Sequence, residues 1–259
     1  MNYSVLQNFT PECLKLDPFP YIHIPQVLPW DLYETLEAEY PEQYVTKGVD
    51  HGFGTARYQQ HDFDYEKIVS KTWRKFIDYN TGINFKNELI TVFKEAIQLH
   101  YSTTHGWPED LYTKYINADV TPRMQSKKGA IKMEMQFVCN AIDKVQIRKP
   151  HVDQSKELFA CLFYFKKPED KGTDGGLNVY RSLASNQWRK ETGRNAVAED
   201  IEAVDHIPYA RNTLVCFLNT INSIHGVTPR ENPKTIRRYV NIDGHVDEKL
   251  FKFSAKVKE

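Results

Sequence analysis

Two histidines and an aspartate stand out in the 259-residue chain because their types and spacing suit a metal ion. His151-Val152-Asp153 places two ligand types at i and i+2, positions that project from one face of an extended strand. A third ligand must arrive from elsewhere. His225 is the candidate: it follows the strand-like run Thr213-Leu214-Val215-Cys216-Phe217-Leu218 and opens His225-Gly226-Val227-Thr228-Pro229. Two imidazoles and one carboxylate on one face of an octahedron leave the remaining positions open, the donor set of non-haem Fe(II) sites that handle O2. Taken singly, a His-x-Asp spelling is equally that of surface or capping residues. His245-Val246-Asp247 repeats it near the C-terminus with no later histidine to complete a set.

Such ligands work only where the chain holds them, and the apolar pattern points to the elements responsible. After about residue 130 come short runs rich in Val, Ile, Phe, Tyr and Cys: Ile131–Asn140, Leu158–Lys166, Leu177–Tyr180, Thr213–Leu218 and Arg238–Ile242. They are bounded by Pro, Gly and Asp and read as strands. Upstream the period is helical. Leu28, Leu32 and Leu36 share one face of a helix that Pro41 ends, and two further amphipathic helices, broken near Asn80-Thr81-Gly82, account for 65–100. Helices first and strands afterwards predict a mainly β fold with flanking α, a jelly roll of cupin type with N-terminal helices packed on the outside. The length suits a single domain over 1–259, with 1–129 mostly helical and 130–245 the β core. The polar stretch 183–205 reads as an insertion or lid between strands. Cys13, Cys139, Cys161 and Cys216 are scattered, and three of them sit in apolar runs, so all four are expected to be reduced.

The ordered set of motifs resembles the prolyl 4-hydroxylase-like branch of the Fe(II)/2-oxoglutarate-dependent oxygenases. Cys161-Leu162-Phe163-Tyr164-Phe165 looks like that family's apolar strand after the His-x-Asp motif, and Asp174-Gly175-Gly176-Leu177-Asn178-Val179-Tyr180 like its Gly-Gly-x-Leu strand entry. His225-Gly226-Val227-Thr228-Pro229 followed by Arg237-Arg238-Tyr239-Val240-Asn241-Ile242 resembles its final strand pair. Pro18-Phe19-Pro20-Tyr21-Ile22-His23-Ile24 and Trp73-Arg74-Lys75-Phe76 resemble its N-terminal segments. The resemblance implies a double-stranded β-helix core, Fe(II) on His151, Asp153 and His225, 2-oxoglutarate as co-substrate, and O2. It implies oxidative decarboxylation to succinate and CO2 coupled to oxidation of a substrate C–H bond. In this family a guanidinium on the strand after the second histidine holds the distal carboxylate of 2-oxoglutarate. Arg230, Arg237 and Arg238 compete for that role; the pattern Arg-Tyr-apolar-x-apolar selects Arg238 and turns Arg237 away. Tyr164 resembles the tyrosine that donates to the same carboxylate in some members. Because Asp153 retains the carboxylate ligand, the resemblance favours hydroxylation over halogenation, whereas desaturation, epoxidation and ring closure would use the same ligands.

Glu134, Gln136 and Asn140 alternate with Met133, Met135, Phe137 and Cys139, so a polar face could turn into the barrel and meet substrate or co-substrate, or face solvent. Asn219, with Thr220 and Ser223, could line the same site. His23, His51, His61, His100, His105 and His206 have no paired spacing and read as ordinary histidines. Lys+Arg and Asp+Glu balance at 34 each, so no net field favours nucleic acid or an anionic membrane. With no secretory or membrane-spanning pattern, a cytoplasmic location is expected. The expected substrate is a free amino acid or similar small metabolite; a peptidyl, prolyl-type substrate is the alternative, and a non-catalytic cupin-like binding or sensor protein the rival of another class.

Overall fold

Buried on both faces, the strand Glu157–Tyr164 reads as one continuous apolar run, which places it in the middle of a sheet with a layer on either side. The computed structural model describes residues 2–47, 55–59, 65–97, 111–125, 127–142, 148–183 and 194–251. Its strands are β1 (Leu14–Lys15), β2 (Tyr21–Pro25), β3 (Thr55–Gln59), β4 (Val120–Pro122), β5 (Ile131–Asn140), β6 (Arg148–His151), β7 (Glu157–Tyr164), β8 (Leu177–Ser182), β9 (Ile201–Ile207), β10 (Thr213–Leu218), β11 (His225–Val227) and β12 (Arg237–His245). Eight of them form a large sheet in the order β1-β2-β10-β7-β12-β5-β3, with β4 also on β5; the other four form a small sheet, β6-β11-β8-β9. Two sheets of short, mostly antiparallel strands make the fold mainly β and jelly-roll-like.

Strand alternation divides the large sheet's residues between two cores. Met133, Met135, Phe137, Cys161, Phe163, Val240 and Ile242 pack against the helices, while Val138, Ala160, Leu162, Tyr164, Val215, Phe217 and Tyr239 join Leu177, Val179 and Ile207 of the small sheet. The helices are α1 (Trp30–Ala38), α2 (Glu42–Val45), α3 (Tyr65–Ile68), α4 (Lys71–Asn80), α5 (Ile83–Val92) and α6 (Leu111–Ile116). Ser70 caps α4 by accepting from the Trp73 amide at 3.1 Å. The break expected near Asn80-Thr81-Gly82 separates α4 from α5. No described helix is long and apolar enough to cross a membrane.

The part before residue 130, expected to be mostly helical, also carries β2 and β3, which extend the large sheet beside β10 and β5. Two expectations are corrected. The polar stretch 183–205 is not wholly an insertion: β9 pairs with β8, and residues 194–196 run beside β6, with 184–193 outside the described residues. Cys161 and Cys216 are joined in a disulfide, directly opposed on β7 and β10 with Cα atoms 3.9 Å apart. The 55-residue separation hides that pairing in the sequence. Cys13 and Cys139 are free.

Candidate metal centre

β6 and β11 are antiparallel neighbours in the small sheet, and their register sets His225 directly opposite His151. The imidazoles stand 4.4 Å apart, centroid to centroid. His151 ends β6 and Asp153 follows in the next turn of chain, on the same side, while Val152 between them is buried in the helix-side core. Each imidazole is oriented by a backbone carbonyl: His151 Nδ1 lies 2.9 Å from Lys149 O and His225 Nδ1 lies 2.9 Å from Ser223 O. A carbonyl can only accept, so Nδ1 carries the proton and Nε2 presents its lone pair. Both Nε2 atoms lie 3.4 Å from Asp153, one from each carboxylate oxygen. Burial pushes His225 down to about 4, which keeps its lone pair free at neutral pH. Burial opposes charge on Asp153 too, whereas the Arg194 guanidinium 3.4 Å away favours the carboxylate. Two imidazoles and a carboxylate whose donor atoms lie within 4.8 Å of one another fit a divalent ion. Guanidinium groups border the set: Arg148 Nε is 3.1 Å from His151 Nε2, and Arg194 Nη1 is 3.4 Å from Asp153.

The structure reverses the expected faces of the two arginines on β12. Arg238 points to the helix side, donating to Phe165 O at 3.0 Å and to Glu42 at 3.2 Å, away from the face that carries the cavity. Arg237 faces between the sheets and is 0% exposed. The cause is strand parity: Val240 and Ile242 join the helix-side core, so Arg238 goes with them, and Arg237, Tyr239 and Asn241 take the opposite face. Arg237 packs against the rings of Tyr164, Tyr209 and Tyr239, with its guanidinium carbon 5.2, 5.2 and 4.5 Å from their centroids. It donates from Nε to Gly175 O at 2.7 Å and from Nη1 to Asn140 at 3.0 Å. Among the described residues its Nη2 has no hydrogen-bond partner, and neither has the hydroxyl of fully buried Tyr164. Burial pushes Tyr164 up to about 12, so the hydroxyl keeps its proton to donate. Two orphaned donors side by side match a carboxylate.

A cavity of about 460 Å³ opens onto the metal candidates and is lined by charged and polar groups from several strands, among them Arg57, Arg123, Gln136, Glu157, Asn241 and Asp243. Such a volume suits a small molecule. Of the two orientations open to the polar face of β5, the inward one is found. Gln136 lines the cavity and accepts from Arg57; Glu134 lies beside it; Asn140 reaches Arg237 and Thr55. Asn219 does not line the cavity. Its amide donates to the carbonyls of Gln154 at 2.7 Å and Glu157 at 2.8 Å, and its oxygen accepts from Ser223, so it braces the chain beyond Asp153. His245, whose His-x-Asp spelling has no later histidine to complete a set, lines the cavity and clusters with Glu134 and Asp243. Its apparent motif partner Asp247 points elsewhere, to Lys132 and the Gly129 amide. The sequence gives little sign of Arg57, Arg123 or Arg194, which lie on short or irregular segments. The odd-numbered residues of β12, by contrast, could have been assigned to this face by their alternation with Val240 and Ile242. His51, His61, His100 and His105 lie outside the described residues.

No protein-family model and no curated protein matches the sequence. Solved structures do resemble it. A prolyl 4-hydroxylase from Phytophthora capsici aligns with a TM-score of 0.50 at 14% identity, over 96% of this chain and 67% of that one. A prolyl-4-hydroxylase from Pseudomonas putida aligns at 0.48 and 11%, over 88% and 93%. The non-haem alpha-ketoglutarate-dependent epimerase SnoN from nogalamycin biosynthesis aligns at 0.46 and 12%, over 87% and 78%. At such identities the likeness is one of fold, and the chain shares the fold of the Phytophthora capsici prolyl 4-hydroxylase.

Proposed function

We propose that this chain is a non-haem Fe(II)- and 2-oxoglutarate-dependent dioxygenase on a single double-stranded β-helix domain. It hydroxylates a C–H bond of a free amino acid or similar small metabolite, with release of succinate and CO2. The observation that carries this reading is the convergence of two imidazole Nε2 atoms on Asp153, each imidazole locked by a carbonyl at its Nδ1. His151, Asp153 and His225 would hold the iron. The bound metal and its co-substrate supply the O2 activation that no side chain can provide.

The protein's own residues orient and enclose. Arg237 and Tyr164 supply the two unpartnered donors for the distal carboxylate of 2-oxoglutarate, and Asn140 and Gly175 fix the guanidinium. Leu162, Leu177, Phe217 and Val227 give the cavity an apolar lining that limits water near the reacting groups. The polar wall beyond them receives the substrate. A cavity of about 460 Å³ favours a small metabolite over a folded protein segment.

The test starts from metal-free protein. One equivalent of Fe(II) should bind tightly, and succinate should form from 2-oxoglutarate in air. His151→Ala, Asp153→Ala and His225→Ala should each lose both properties. Iron binding that survives in all three variants would sink the assignment.

A further inference from the structure

Glu134 on β5 and Asp243 on β12 are direct cross-strand neighbours, and both are buried, at 2% and 3% exposure. Like charges directly opposite on adjacent strands are destabilising unless a cation lies between them. Here that cation is Arg123, in the turn after β4. Its Nη1 donates to Glu134, lies 2.8 Å from His245 Nε2 and stands 3.5 Å from Asp243. Among the described residues no other lysine or arginine comes within 4.0 Å of either carboxylate. The match is imperfect. Asp243 stands at the edge of the arginine nitrogen's reach and is held by Asn241 Nδ2 at 2.8 Å and His245 Nε2 at 3.1 Å instead, while among the described residues the second oxygen of buried Glu134 has no partner. Arg123 is also the more exposed member, its side chain 35% exposed against 3% for Glu134. Asp243, His245 and Arg123 all line the cavity that reaches the metal candidates.

We propose that the Glu134–Asp243 pair is a subsite for an ammonium group on the substrate, and that Arg123 holds its place until substrate enters. An ammonium is compact and carries three donors, enough to reach both carboxylates and the bare oxygen of Glu134, which the arginine nitrogen leaves unpaired. The subsite selects a free amine over an amide nitrogen, and so a free amino acid or other amine over a residue within a peptide. The link to hydroxylation rests on the oxygenase reading, but ammonium binding does not and can be measured without metal.

Metal-free protein is titrated calorimetrically with a panel of free amino acids and n-butylammonium, each beside its N-acetylated form. At least one amine should bind, with its acetylated form weaker by about tenfold or more, the worth of one charge-assisted bond. Glu134→Gln should weaken the amine by a similar factor. Arg123→Met should tighten it, because the internal competitor is gone; a purely structural arginine would produce loss instead. Equal binding of acetylated forms, weaker binding in Arg123→Met, or no amine binding at all would overturn the proposal. So would a second equivalent of Fe(II) lost in Glu134→Gln without amine binding, which would make the cluster a metal site. Iron titration at His151, Asp153 and His225 runs separately. A chain that binds the amine but no iron keeps this subsite and loses the oxygenase reading.

Discussion

At the scale of single residues, function depends on which side of a strand a side chain leaves. Arg237 and Arg238 are neighbours of the same type, yet one lies among three tyrosines and the other pairs with Glu42 behind the sheet. Arg237→Ala should therefore raise the 2-oxoglutarate requirement strongly, by the loss of a charged bond worth about 1.5–3 kcal/mol, while Arg238→Ala leaves it close to wild type. Titration of 2-oxoglutarate against both variants decides this, and the reverse order would show that the co-substrate enters elsewhere. His225 makes a second prediction. Its folded value of about 4 lies below the value of about 6.5 expected for the unfolded chain. Between those values the unfolded state binds the extra proton, so the contribution of His225 to stability is complete above pH 6.5 and is lost as pH falls toward 4. Glu134 and Glu157 are raised, chiefly by burial, and work in the opposite direction, so the total need not follow His225. The difference between metal-free wild type and His225→Gln isolates it, and should change by about 1.4 kcal/mol per pH unit across that window. A difference that is flat with pH would mean the imidazole is not desolvated.

At the scale of elements, the site depends on two short strands meeting closely. Gly226 follows His225 on β11, and a Cβ there would lie 3.1 Å from the Pro150 nitrogen on β6. Gly226→Ala must push the strands apart by a few tenths of an ångström and shift one histidine relative to the other. Iron affinity should fall by about tenfold, the cost typical of disturbing what orients a ligand, with far less effect on the melting temperature; an unchanged iron affinity would show that the strands absorb the methyl group. These short elements are also where sequence reading stops. β5 and β10 are legible because long apolar alternation or continuity marks them, and both match the expected bounds. β6, Arg148-Lys149-Pro150-His151, has no such pattern; its pairing with β11 makes it a strand. β9 is exposed over most of its length and blends with the polar stretch before it. The candidate ligands were legible because their chemistry is rare and their order informative, whereas the polar alternation of β5 left its face open between barrel and solvent. The arginines around the cavity were not, since a surface arginine and a cavity arginine look alike until the fold brings distant segments together.

At the scale of the whole molecule, the large sheet separates a supporting layer from a working one. Every strand of its centre has one set of side chains in the helix-side core and the alternate set toward the small sheet and the cavity. The described helices thus support the site without lining its cavity. Trp73 on α4 shows the connection: it is fully buried, its ring meets Phe137 of β5 at 4.7 Å, and its indole N–H donates to Leu36 O at 3.0 Å, tying α4 to both α1 and the sheet. On the other face of β5, next along the chain from Phe137, Gln136 lines the cavity. Trp73→Ala removes a large ring from a packed layer and leaves a buried carbonyl without its donor, and should cost about 3–5 kcal/mol of stability. Iron bound to the protein that remains folded should be held as tightly as in wild type, because His151, Asp153 and His225 are set by the pairing of β6 with β11 in the other sheet. Urea denaturation together with iron titration of the native protein separates the two quantities. Loss of iron affinity with little loss of stability would show that the helical layer shapes the metal centre directly, and would place the division between support and chemistry elsewhere than the large sheet.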